Sequence, residues 1–201
     1  MNTRVVLAAI AVIGLVTTAC ATRYIKPSTV QNPPPTAKFA SFDRFELTSV
    51  ALDPAYADQG ANQKATAKIQ EYFDLEVKPL INRWNGEKPA RQTSRTLLIE
   101  PRIEHIKFIG GGARFWTGAL AGSSAVLMKV KYVEKTTGKV IAEPEFFQRA
   151  AALSGAWTLG GQDNAMLARI VTLVADYTNR NYHEAVGGPS GAPEELVRPG
   201  E

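Results

Sequence analysis

SAVLMKVKYVE, residues 124–134, decides the fold. Val126, Met128, Val130 and Tyr132 alternate with Leu127, Lys129, Lys131 and Val133. A period of two sends successive side chains to opposite faces, so this is a strand with one face toward a core. KTTGKV follows, and it puts Gly138 where a hairpin turn needs a positive φ. VIAEPEFFQRAAALSG then returns as the partner strand. Pro144 sets that part of it at an edge or a bulge, because proline cannot donate to a ladder. Upstream, SRTLLIEPRIEHIKFI (residues 94–109) is a long strand. Leu97, Ile99 and Ile103 share one parity, Ile106 and Phe108 the other. The change of phase predicts a bulge near Glu104 and His105.

Working outward, FDRFELTSVAL (residues 42–52) alternates as a first strand, and DPAYADQG breaks it with turn residues. Residues 61–85 repeat apolar positions at three and four: Ala65, Ile69, Tyr72, Phe73, Val77, Leu80 and Trp84. That spacing predicts an amphipathic helix, which Pro79 should kink or split near residues 76–78 by removing one backbone donor. Residues 162–186 predict a last helix, with Met166, Leu167, Ile170, Val171, Val174 and Tyr177 as its buried stripe. Asp163 is its N-cap and Gly187 its stop. The order β-α-β-β-β-α predicts an α+β domain, a mainly antiparallel sheet with two helices packed on one face.

The ends of the chain read differently. Arg4 precedes an unbroken apolar run from Val5 to Val16, and small residues and Cys20 follow. This is the layout of a secretory signal peptide. Twelve helical residues reach only about 18 Å, short of a hydrocarbon core of about 30 Å, so the run is not a permanent membrane span. Residues 20–38 hold four prolines and few large apolar groups, which predicts a tether. Residues 187–201 are rich in Gly, Pro and Glu, which predicts a disordered tail. The predicted division is a leader at 1–19, a tether at 20–38, an α+β periplasmic domain at 39–186 and the tail. The net charge is +4 over 201 residues, and no run of five basic residues occurs. That describes a mixed, solvated surface and not a nucleic-acid-binding one.

Little in the chain looks chemical. FIGGGARFWTGALAGSS (residues 108–124) raises three readings: a phosphate cradle, a lipid-touching loop, or scaffold. The cradle fails, because five residues separate Gly112 from Gly118, Ala119 stands where lysine belongs, and a strand follows instead of a helix. Arg114, Phe115 and Trp116 fit a headgroup layer, a protein contact or an ordinary loop whose aromatics tuck inward. His105 follows Glu104 and His183 precedes Glu184, but neither histidine belongs to a metal-binding spacing. Neighbours on a strand point to opposite faces, so Glu104 and His105 make no simple dyad. Glu143 and Glu145 share a strand face around Pro144 and are expected exposed. No nucleophile elbow occurs. The expectation is a non-enzymatic protein with no catalytic, cofactor or metal residues.

Ala19-Cys20 after the apolar run resembles the lipobox of bacterial lipoproteins, with Thr17 where that family usually carries leucine. The resemblance implies cleavage before Cys20 and acylation of its sulfur and its new amine. Ala21 in place of aspartate implies sorting to the outer membrane. The other readings are cleavage after Ala21 by an ordinary signal peptidase, since Ala19-Cys20-Ala21 is also an A-x-A pattern, and an uncleaved anchor. Further along, Arg114, the small run at residues 117–122, VLMKVKYVE, the turn at Gly138 and the Gly160-Gly161 helix start resemble the uncharacterised bacterial lipoproteins of domain-of-unknown-function family 4410. This implies an envelope lipoprotein with an α+β domain. The expected role is accessory, through protein contacts, to an envelope transport or assembly complex at the periplasmic face of the outer membrane. The alternative is a periplasmic binding protein for a lipid or apolar ligand.

Overall fold

The alternation in residues 124–134 becomes the central strand of the sheet. The structure is a computed structural model that describes residues 25–87, 95–108, 123–150 and 161–197. In chain order these residues form strands β1 (Gln31–Asn32), β2 (Arg44–Leu47) and β3 (Ala51–Leu52), then helix α1 (Gly60–Glu87). Strands β4 (Thr96–Lys107), β5 (Ala125–Glu134), β6 (Val140–Ala142) and β7 (Glu145–Arg149) follow. Helix α2 (Gly161–Arg180), strand β8 (Gly188–Pro189) and the single turn α3 (Glu194–Val197) complete the described fold. It is α+β.

The main sheet runs β2-β4-β5-β6, with β3 also on β4 and β7 also on β5. β4 and β5 pair antiparallel from Leu97↔Glu134 to Lys107↔Ala125, and the register slips between Ile103 and His105, where the phase change predicted a bulge. β6 and β7 both pair antiparallel with β5. They are separated at Pro144, whose carbonyl still accepts from Val130 N–H at 3.1 Å. β2 and β3 run parallel to β4. A parallel neighbour needs a long crossover, and α1 supplies it. The single first strand expected over residues 42–52 is interrupted between β2 and β3, where Gln70 of α1 draws in the Val50 N–H at 2.8 Å.

Both helices cover one face of the sheet. α1 buries Ala65, Ile69, Phe73, Val77, Ile81 and Trp84, and it is not split at Pro79. Pro79 leaves the carbonyl of Leu75 without its helical donor. Leu75 is 66 % exposed, so water can take that place. α2 buries the predicted stripe from Met166 to Tyr177. Aromatic rings join the layers: Phe39 stacks on Tyr132 at 4.7 Å, and Trp84 stacks on Tyr182 at 4.2 Å. The buried Tyr132 hydroxyl meets Thr178 Oγ1 of α2 at 2.6 Å. Tyr177 reaches Pro33 O at 3.0 Å, and burial pushes its pKa up to about 12.

The two ends of the described chain correct the predicted boundaries. Within the expected tether, residues 25–38 pack on the sheet. Within the expected tail, residues 187–197 do the same. β1 and β8 pair antiparallel, Gln31↔Pro189 and Asn32↔Gly188. Phe147 N–H of β7 donates to Ser190 O at 2.8 Å, and Ser190 N–H donates to Val30 O at 2.9 Å. Asn32 Nδ2 donates to Glu145 O, and Oδ1 accepts from Glu145 N–H, both at 2.8 Å. Glu145 is therefore buried, contrary to its expected exposure, and its Oε1 accepts the Ser28 N–H at 2.6 Å. These polar side chains satisfy backbone groups that proline- and glycine-rich segments otherwise leave to water. The last helix also ends earlier than expected, at Arg180. Asn181 turns its side chain back onto Tyr177 O at 2.8 Å, and Gly187 takes φ +73° in the strap that follows, not at the helix end.

Candidate functional site

Alternation along β5 and β7 builds two apolar layers. Val126, Met128 and Phe146 face the helices, while Leu127 and Phe147 face the opposite side. On that opposite side Ala125, Leu127 and Phe147 are covered by Ile25 and Ala192, with Leu196 and Val197 packed against them. The N-terminal and C-terminal segments thus meet on the back of the sheet. Ile25 is only 7 % exposed. It lies five residues after Cys20, so the described fold begins almost at the residue expected to carry lipid. Cys20 itself lies outside the described residues, as do Arg114, Phe115 and Trp116.

The sheet ends beside this layer. Lys107, Ala125 and Arg149 stand in one cross-strand row, because Ala125 pairs with both others. Cross-strand partners share a face, which puts the two cations on the same side as Ile25. Lys26, exposed, follows Ile25 directly. None of the three forms an ion pair with a carboxylate among the described residues.

A second polar cluster sits at the β4 bulge. Tyr56 Oη lies 2.8 Å from His105 Nδ1, with the two rings edge to face at 5.8 Å. Arg102 donates from Nη2 to Asp53 Oδ2 at 2.8 Å, and its Nε lies 3.2 Å from Glu104 Oε1. Hydrogen bonds from Arg102 and from Ala55 N–H hold the Asp53 carboxyl below its usual range. The cluster ties the turn before α1 to β4. Its carboxylates are held by one guanidinium, and the histidine faces a phenol. Glu104 and His105 do not pair with each other, as strand geometry required. Tyr56 escaped the sequence reading because it lies 49 residues from its partner, inside a stretch that looks only like a turn. His183 is exposed, beyond the end of α2, with its ring edge to face with Tyr182. Among the described residues no group of three or more His, Cys, Asp or Glu is placed to hold a metal ion.

No protein-family model matches the chain, and no curated protein matches it. Several solved structures are similar in shape. A Xanthomonas campestris protein of family DUF330 aligns with a TM-score of 0.43 at 14 % identity, over 80 % of this chain and 93 % of its own. The PelC dodecamer from Paraburkholderia phytofirmans aligns with a TM-score of 0.38 at 15 % identity, over 72 % of this chain and 95 % of its own. A hypothetical protein from Chlamydia trachomatis aligns with a TM-score of 0.37 at 12 % identity, over 68 % of this chain and 98 % of its own.

Proposed function

We propose that this chain is a lipoprotein held by an acylated Cys20 at the periplasmic face of the outer membrane. There it serves an envelope transport or assembly complex through protein contacts and not through catalysis. The observation that carries the reading is the order Arg4, the apolar run to Val16, and Cys20. No described helix is long and apolar enough to cross a membrane. Three acyl chains exceed the two signals that stable anchoring takes. The described polar clusters support a non-catalytic role, because their charged groups are spent on joining elements of the fold. The expected result on cell fractionation is a wild-type chain in the membrane pellet, released by detergent and not by salt. Cys20→Ser should move more than about nine-tenths of it to the soluble periplasmic fraction, since one short leader does not anchor. A Cys20→Ser chain that stays in the pellet contradicts lipid anchoring. Cross-linking intact cells then tests the role: an envelope protein captured by wild type and not by Cys20→Ser supports it.

A further inference from the structure

We infer that the sheet end carrying Lys26, Lys107 and Arg149 docks on an anionic phospholipid surface. This inference rests on the lipid-anchor reading above. Its first support is chain length. Ile25 lies five residues after Cys20, and an extended chain spans at most about 3.6 Å per residue, so the two Cα atoms stay within about 18 Å of each other. A free tether ending at Lys38 would allow several times that reach. Ile25 cannot drift, because it is buried against Ala125, Leu127, Phe147 and Ala192. The anchor therefore leaves the fold at one fixed place, the back of the sheet at the β5 start and β7 end.

The second support is charge at that same place. Lys107 and Arg149 flank Ala125 in one row of the sheet, and Lys26 is next to Ile25. None of the three is neutralised by a carboxylate among the described residues, unlike Arg95, Arg102 and Lys135, each of which holds an acid. Glu194 and Glu195 of α3 are exposed, and α3 packs on the same apolar layer through Leu196 and Val197, so the docked orientation must turn the three cations and not these acids to the membrane. A membrane surface attracts such cations only within about a Debye length, roughly 8 Å at physiological salt. The short link keeps them near the surface, where a long tether would lower their effective concentration there. Each basic residue at an anionic surface favours the docked state by about fivefold.

The test uses the mature acylated chain with a nitroxide on Ser28→Cys, placed in phosphatidylcholine vesicles with and without phosphatidylglycerol. Collision with a nickel chelate fixed at the headgroups is read by paramagnetic relaxation. The expected result is stronger relaxation when phosphatidylglycerol is present. It should fall to the phosphatidylcholine level in Lys26→Ser/Lys107→Ser/Arg149→Ser, and equally in wild type when salt is raised. The salt arm needs no mutant to fold. Relaxation indifferent to lipid charge, or unchanged in both arms, overturns the docking surface. Intact mass of the same sample separates the two claims. A chain without acyl mass refutes the anchor alone. The docking surface is then judged by sedimentation with phosphatidylglycerol vesicles: binding lost in the triple variant supports it, and no binding overturns it.

Discussion

A chain truncated after Val186 should lose its cooperative thermal transition or melt more than about 10 °C below the full mature chain. For a domain of this size each kcal/mol moves the midpoint by about 2–4 °C. Removing residues 187–201 deletes β8 and its ladder with β1. It also deletes the Ser190 carbonyl that pairs Phe147 N–H and the Ser190 N–H that pairs Val30 O. The Ser190 hydroxyl goes too, with its bonds to Thr29 O at 2.6 Å and Val30 O at 3.1 Å. Each such bond is worth about 1 kcal/mol net. Losing Ala192 uncovers the layer containing Leu127 and Phe147, now 3 % and 1 % exposed. Exposing large apolar side chains costs up to about 1.5–3 kcal/mol each. The combined loss, about 5 kcal/mol or more, is comparable with the 5–15 kcal/mol that holds a typical domain folded. A disordered tail predicts the opposite, a melting point unchanged within a degree or two. Circular dichroism melts of the two chains decide between them.

Asn181→Leu should destabilise the fold by about 3–5 kcal/mol. The Asn181 side chain is fully buried and makes four bonds. Its Nδ2 donates to Tyr177 O at 2.8 Å and Gly187 O at 3.1 Å. Its Oδ1 accepts from Val186 N–H and Gly187 N–H, both at 2.8 Å. Leucine fills similar space and offers none of them. Tyr177 O keeps the Asn181 N–H at 3.1 Å, but the N–H and carbonyl of Gly187 and the N–H of Val186 lose their partner. Gly187 cannot move to find others. Even a Cβ there would press on Asn32 O, with Pro33 C at 2.9 Å. Urea unfolding should show a lower midpoint with an unchanged slope. Because Gly187 is gone from the truncated chain, and with it two of the four Asn181 bonds, Asn181→Leu should cost less there, a coupling that a double-mutant cycle reads directly. Additive losses would mean that Asn181 does not act through the strap.

Regular elements with long periods were legible, and elements defined by distant partners were not. The alternation of residues 124–134, the slip at Glu104 and His105, the break at Pro144 and the stripe from Met166 to Tyr177 all stand in the structure. Each signal is local, because pleat and helical pitch impose it on neighbouring residues. The strap is different. β1 and β8 are two residues each, too short for any periodicity. Their partners lie more than 150 residues apart, and proline- and glycine-rich composition argues for disorder until those partners are known. The parallel placement of β2 and the Tyr56–His105 pair are likewise settled by what the 28-residue helix α1 brings together. Of the candidate site, Cys20 and the loop of Arg114, Phe115 and Trp116 lie outside the described residues. Ile25, Lys107 and Arg149, which frame the exit of the chain, had no local signal at all.

The most direct measurement is the intact mass of the mature protein recovered from cell membranes, wild type beside Cys20→Ser. The lipid-anchor account predicts a chain that starts at Cys20 and carries the added mass of acyl chains, with that mass absent from the variant. A wild-type chain that starts at Thr22 with no added mass contradicts it, and makes the protein a soluble periplasmic one cut by an ordinary signal peptidase.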